Sequence, residues 1–186
     1  GGGPSREIFS SLIIEIMNEH LGIFTFNPNR RHMNKETNQE DLIPNTKAVF
    51  TNEFNNEVSQ LLSKRFTFAG ALIACCIVSS LPQPLKLSSI IWDFLSRGTV
   101  SIESIYEVDN NFKTLIENCE DIEKKIPNLN EVEFKNSFMH SFEIQNSFDE
   151  LIELVPSGSK IEVTIENLHE FIQLAKKTRI HEFDRQ

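Results

Sequence analysis

The chain has 186 residues, 39% hydrophobic and 24% charged, with a formal net charge of −9 at pH 7. That length suits one well-buried domain, with room for a satellite, and the composition is too apolar for a disordered chain. The negative charge repels phosphate backbones. The basic knot Arg30, Arg31 and Lys35 is too small for an electrostatic footprint, so nucleic acid is not expected as a partner.

Residues 4–20 read as a helix. Pro4 suits the first helical position, where its missing N–H is not needed. Phe9, Leu12, Ile13, Ile16 and Met17 recur at helical spacing and give it one buried face. "GIFTF" (22–26) reads as a short strand from its aromatic and β-branched content. From Asn27 to Lys64 the chain is polar, a connection long enough to be functional or partly disordered. Within it, "VFTNEFNNEVSQLL" (49–62) has the pattern of one amphipathic helix.

"FTFAGALIACCIVSS" (66–80) is apolar on nearly every side, which predicts a helix buried all round. Its apolar run, Phe66 to Val78, falls short of the roughly 20 residues that a bilayer span needs. The opening "GGGPSREIF" lacks the apolar region of a signal peptide. No membrane partner is therefore expected. Pro82 and Pro84 break the helix, and "LSSIIWDFLSRG" (87–98) forms the next, capped by Ser88 or Ser89 and stopped at Gly98. Two further short helices are expected at "SIESIYEV" (101–108) and in the segment ending at Cys119.

The texture then changes. "SFMHSFEIQ" (137–145) and "DELIELV" (149–155) alternate, and "SGS" (157–159) supplies a turn before "KIEVT" (160–164), so a small antiparallel β-region is expected. Thr164 is placed to cap a last helix carrying Leu168, Phe171, Ile172, Ala175 and Phe183 on one side. The fold class expected is α+β, mostly helical, with a short antiparallel β-region. No internal repeat or low-complexity tract is visible.

The three cysteines do not make a disulfide framework, because neighbouring Cys75 and Cys76 bridge only with strain. A reducing, cytoplasmic (intracellular) setting follows. Cys75 and Cys76 lie in the apolar helix, where desolvation makes a thiol inert. Cys119 sits beside Glu117, Glu120 and Asp121, whose charges disfavour a thiolate. His20, His32, His140, His169 and His181 lack the spacing of metal ligands. "GGGPS" is no phosphate loop, and the acidic run "ENCEDIE" (117–123) reads as a solvated face. By residue chemistry alone there is no catalytic residue, metal site or cofactor.

Five segments nevertheless occur in a familiar order: "GGGPSREIF" (1–9), "LGIFTFNPN" (21–29), residues 66–95, "LVPSGSKIEVTIENLHEFI" (154–172) and "TRIHEFDRQ" (178–186). Together they resemble the N-terminal lobe of the HECT family of ubiquitin-protein ligases, and most of all its large HERC-type members. Many members carry a Gly-Arg pair in the buried helix. Here it is Gly70-Ala71, a change that bears on core packing.

The resemblance implies that residues 1–186 are a partial HECT domain, the large subdomain of the N-lobe. The subdomain that docks the ubiquitin-conjugating enzyme and the catalytic C-lobe would be absent. The parent would pass ubiquitin through a cysteine thioester to substrate lysines without a cofactor. "Thr-Cys", the mark of the family's catalytic loop, does not occur in the chain, so this part is expected to be scaffold. Some HECT ligases hold a second, non-covalent ubiquitin on the N-lobe. The matching aromatics here are Phe26 in "GIFTF" and Phe148 in "NSFDE". The alternative is a stand-alone protein-interaction module with the same fold.

Overall fold

The computed structural model describes residues 3–34, 37–46, 56–125 and 130–183. It is a mostly helical α+β fold with two small antiparallel sheets. Helix α1 (Gly3–Ile16) ends earlier than its apolar spacing suggests. Asn18 then caps a single 3-10 turn, Glu19–Leu21, by accepting from the His20 N–H, and Gly22 at φ 72° closes it. Strand β1 (Phe24–Phe26) pairs with β2 (Leu42–Pro44), a strand hidden within the polar connection. Between them Asn27 caps the short helix α2 (Pro28–Arg31).

Helix α3 (Asn56–Val78) joins the end of the expected amphipathic segment to the apolar one. Residues 49–55 of that segment lie outside the described part. The helix is not buried all round. Leu62, Ala69, Leu72, Ile73 and Cys76 face a core with α1 and β1, whereas Leu61, Phe68, Ile77 and Val78 are exposed, Val78 by 85%. Cys75 is exposed as well. The length argument against a membrane span fails too, since Gln60–Val78 is long and apolar enough for one by length and composition. What the structure shows instead is one face of α3 built into a protein core.

Helix α4 (Ser89–Arg97) follows with Ser88 as its cap residue and Gly98, at φ 71°, as its stop. Its Asp93 is nearly buried and accepts from Ser101 N (3.1 Å), Ser101 Oγ (2.5 Å) and Ser104 Oγ (2.6 Å), with Arg97 as a further partner. Burial works to raise this carboxyl, but those hydrogen bonds prevail and hold it at about 2. One acid thereby locks α4 to the start of α5 (Ile102–Val108). Helix α6 (Asn110–Lys125) runs past Cys119, so the acidic run lies along it with Cys119 facing inward. A helix not foreseen, α7 (Glu131–Ser137), opens with a reciprocal capping box between Asn130 and Glu133.

The β-region is smaller than its alternation implies. β3 (Glu143–Gln145) pairs with β4 (Leu151–Glu153), and residues 160–164 form no strand. Gly158–Lys160 is a 3-10 turn, and only the single bridge Ser141↔Glu162 remains. The cause is a close approach: a Cβ at Gly158 would lie 2.3 Å from the Phe142 carbonyl oxygen. The Phe142 N–H is taken by the carbonyls of Gly158 and Ile161. Thr164 does not cap the last helix, α8 (Leu168–His181); Asn167 holds that position, and its side chain accepts from the Thr164 N–H at 2.7 Å. Phe171 of α8 meets Phe138 and Phe142 edge-on, at 6.2 and 5.7 Å between ring centres. This second core also takes Phe112, Ile116, Cys119 and Phe183.

Candidate functional site

Phe26 ends β1, and the next residues turn the chain so that α2 starts at once. The Asn27 side chain accepts from the Arg30 N–H at 3.0 Å and donates to the carbonyls of Asn38 and Asp41. Asn29, also fully buried, donates to Glu107 O (3.0 Å) and accepts from Asn110 N (2.7 Å), which ties α2 to the α5–α6 junction. Buried amides with their bonds satisfied fix local direction. The two arginines of α2 are thereby placed at one site.

Arg30 and Arg31 do not make a free basic knot. The Arg30 guanidinium carbon lies 3.6 Å from the centre of the Phe26 ring. Arg31 donates to Phe26 O at 2.6 Å and to Ser147 O, and its Nε stands 3.4 Å from Asp149 Oδ2. Its guanidinium carbon is 5.7 Å from the Phe148 ring centre. Lys35, the third member, lies outside the described residues.

Arg31 thus links the backbone carbonyl of Phe26 to the turn that carries Phe148, while the Phe26 ring itself stacks on Arg30. Both rings are half-buried. Phe148 is held by a turn in which Asn146 Oδ1 accepts from Phe148 N (2.8 Å) and Glu150 N (2.9 Å). Asp149 there has φ 63° and receives His32 Nε2 at 2.7 Å. His32 Nδ1 meets Asn111 at 3.0 Å, so α2, the β3–β4 turn and α6 converge on one imidazole.

Behind this surface lies a network that sequence reasoning missed. Arg179 of α8 is 1% exposed. It donates to Asp109 Oδ2 (2.9 Å), Gln145 O (3.0 Å) and Ser147 Oγ (2.9 Å), and its Nε is 3.0 Å from Glu182 Oε2. Glu182 in turn accepts from Ser147 N at 2.9 Å and Ser147 Oγ at 3.1 Å. Burial raises the Glu182 carboxyl, opposed by Arg179 and Ser147. A signal was present in the sequence: Arg179 and Glu182 interrupt the apolar stripe between Ala175 and Phe183, where a solvated pair has no place. The turn bearing Phe148 is therefore anchored from both sides, by Arg31 at Ser147 O and by Arg179 and Glu182 at the rest of Ser147.

The thiols divide. Burial, with Glu120 and Glu123 adding repulsion, pushes Cys119 up to about 12. Burial and the neighbouring Cys75 raise Cys76. Cys75 is the exposed one, against the sequence expectation for it. No group of three His, Cys, Asp or Glu side chains able to hold a metal forms among the described residues. The model of the HECT-domain (ubiquitin-transferase) family matches residues 10–186 of the chain.

Proposed function

The chain belongs to the HECT-domain family of ubiquitin transferases, and from that premise we propose that residues 1–186 are the large subdomain of a HERC-type N-lobe, a non-catalytic scaffold. In this reading the conjugating enzyme docks, and the catalytic cysteine forms its thioester, on other parts of the parent polypeptide. The parent hands ubiquitin from a conjugating enzyme to substrate lysines by nucleophilic covalent catalysis at that cysteine. The observation that carries the scaffold role is the state of the thiols. Cys76 and Cys119 are buried with raised pKa values, and exposed Cys75 follows Ala74 rather than a threonine. Three free cysteines support a reducing, cytoplasmic setting.

Phe26 and Phe148 then serve as a weak, non-covalent ubiquitin patch. Arg31 supports this by tying the Phe26 carbonyl to the turn that carries Phe148, since half-buried aromatics on a rigid frame make good interface anchors. Two measurements test the reading. Incubated with activating enzyme, charged conjugating enzymes and ubiquitin, the 186-residue chain should give no reducible adduct on a non-reducing gel. An adduct that disappears in Cys75→Ala would overturn the scaffold role. Labelled ubiquitin titrated with the chain should show shifts around its apolar patch that weaken in Phe26→Ala and in Phe148→Ala. Shifts indifferent to both substitutions would move the contact elsewhere.

A further inference from the structure

A second concave surface has Phe26 in its wall, with Arg30 and not the Arg31-held turn of Phe148 beside it, and has a different chemistry. A cleft of about 410 Å³ opens between α1, the end of β1 and the segment that follows α3. Its walls include Ile13, Met17, Leu42 and Pro84, and Ile14 stands 70% exposed at its lip. Its charged residues are Arg30, Lys86 and Glu40, two cations and one anion. The chain as a whole carries −9, so this cleft runs against the sign of the molecule.

The cations are held ready for a carboxylate. Stacking on Phe26 occupies the face of the Arg30 guanidinium and leaves its N–H edge for a fork-shaped partner. No described carboxylate lies within ion-pair distance of Arg30. Lys86 reaches Glu40 at 2.6 Å, but those side chains are 61% and 72% exposed, and such a pair exchanges readily in water. Glu40 itself displays the preference of the site. Its carboxyl is lowered by the Lys86 hydrogen bond and charge, with Arg30 contributing at longer range.

We propose that this cleft binds a short acidic–apolar peptide segment of a partner protein, with an apolar side chain on the Ile13–Leu42 floor and a carboxylate on Arg30 and Lys86. A free phosphate would leave that floor unused. A lipid surface would need a convex, polybasic face in place of a cleft with two cations. The groove between α3 and α4 has purely apolar walls and no such selecting charge.

The test is a titration of the isotope-labelled chain with an end-blocked peptide of alternating Leu and Glu ending in Phe, beside the same peptide with Gln for Glu. Shifts should centre on Ile13, Met17 and Arg30, and the Gln peptide should bind at least about fivefold more weakly. Arg30→Ala should cost about tenfold and Arg30→Lys less, because lysine keeps the charge without the fork. Raising salt should weaken the acidic peptide only. Ile14→Ser should weaken the peptide and leave ubiquitin binding unchanged, and Phe148→Ala should do the reverse. Equal binding of the two peptides would overturn the proposal. So would shifts outside the cleft, one response of both ligands to both variants, or capture of anionic vesicles through Arg30 in preference to the peptide.

Discussion

The two apolar cores of this protein use the same residue types and are closed to different degrees. The C-terminal core draws on α4 to α8 and the β3–β4 hairpin, and Ile105, Ile116, Cys119, Val163, Leu168, Phe171 and Ala175 in it are fully buried. The N-terminal core packs α3 onto α1 and a two-stranded sheet, and its members retain 1–7% exposure. The outer side of α3 stays open there, with Phe68 at 50% and Ile77 at 65% exposed. Strand β2 stands between them: Leu42 joins one core and neighbouring Ile43 the other, as alternation along a strand requires. The lesson is that apolar content measures the capacity to be covered. Whether a helix is covered depends on how many elements surround it.

That contrast can be broken first by cavity formation. Leu168→Ala should cost about 4 kcal/mol and Leu72→Ala about 2 kcal/mol, because the open core relaxes around a cavity more easily. Denaturant unfolding checks this, and equal losses would erase the distinction. The next largest effect is expected at the polar centre of the closed core. Arg179→Met strands Asp109 and Glu182 and should cost about 3 kcal/mol. A neutral result would show that the network adds nothing net.

Thiol labelling sharpens the comparison without a substitution in either core. Cys75 should react at a rate near that of a free peptide, while Cys76 and Cys119 wait for opening and lag by roughly a hundredfold. A slow Cys75 would mean that the outer face of α3 is covered in solution. The smallest effect is a gain. A Cβ at Gly70 meets nothing within 4 Å, so Gly70→Ala should stabilise α3 by up to about 1 kcal/mol through helix propensity. A loss of stability would place another group against that glycine.

The family and most of the longer helices were legible in the residues, and so were some boundaries; α2, β2 and α7 were not. Gly98 ends α4 because a left-handed stop acts locally, within a turn of the helix end, whereas Ser88 holds the cap position without a side-chain capping bond. Cys119 was read as inert from its acidic neighbours, and burial carries the same conclusion further. The Asn130–Glu133 box that starts α7 is local too. Other features depended on distant partners. Nothing within "KIEVT" reveals that Gly158 folds onto Phe142 and leaves only a bridge.

For the candidate site, the sequence named Phe26 and Phe148 through family resemblance, and the tertiary structure shows that Arg31 ties the Phe26 carbonyl to the Phe148 turn. Arg31 spans 116 residues of sequence to reach Ser147, and Arg179 reaches the same serine from α8. Local propensities, caps and apolar spacing act over a few residues, so the sequence by itself determined where the longer helices lie and a few of their ends, such as the stop at Gly98. The exposed side of α3 and the arginine-held aromatics depend on groups brought together from far along the chain. Only the packed structure decides those, because burial and ion pairing belong to three-dimensional neighbours.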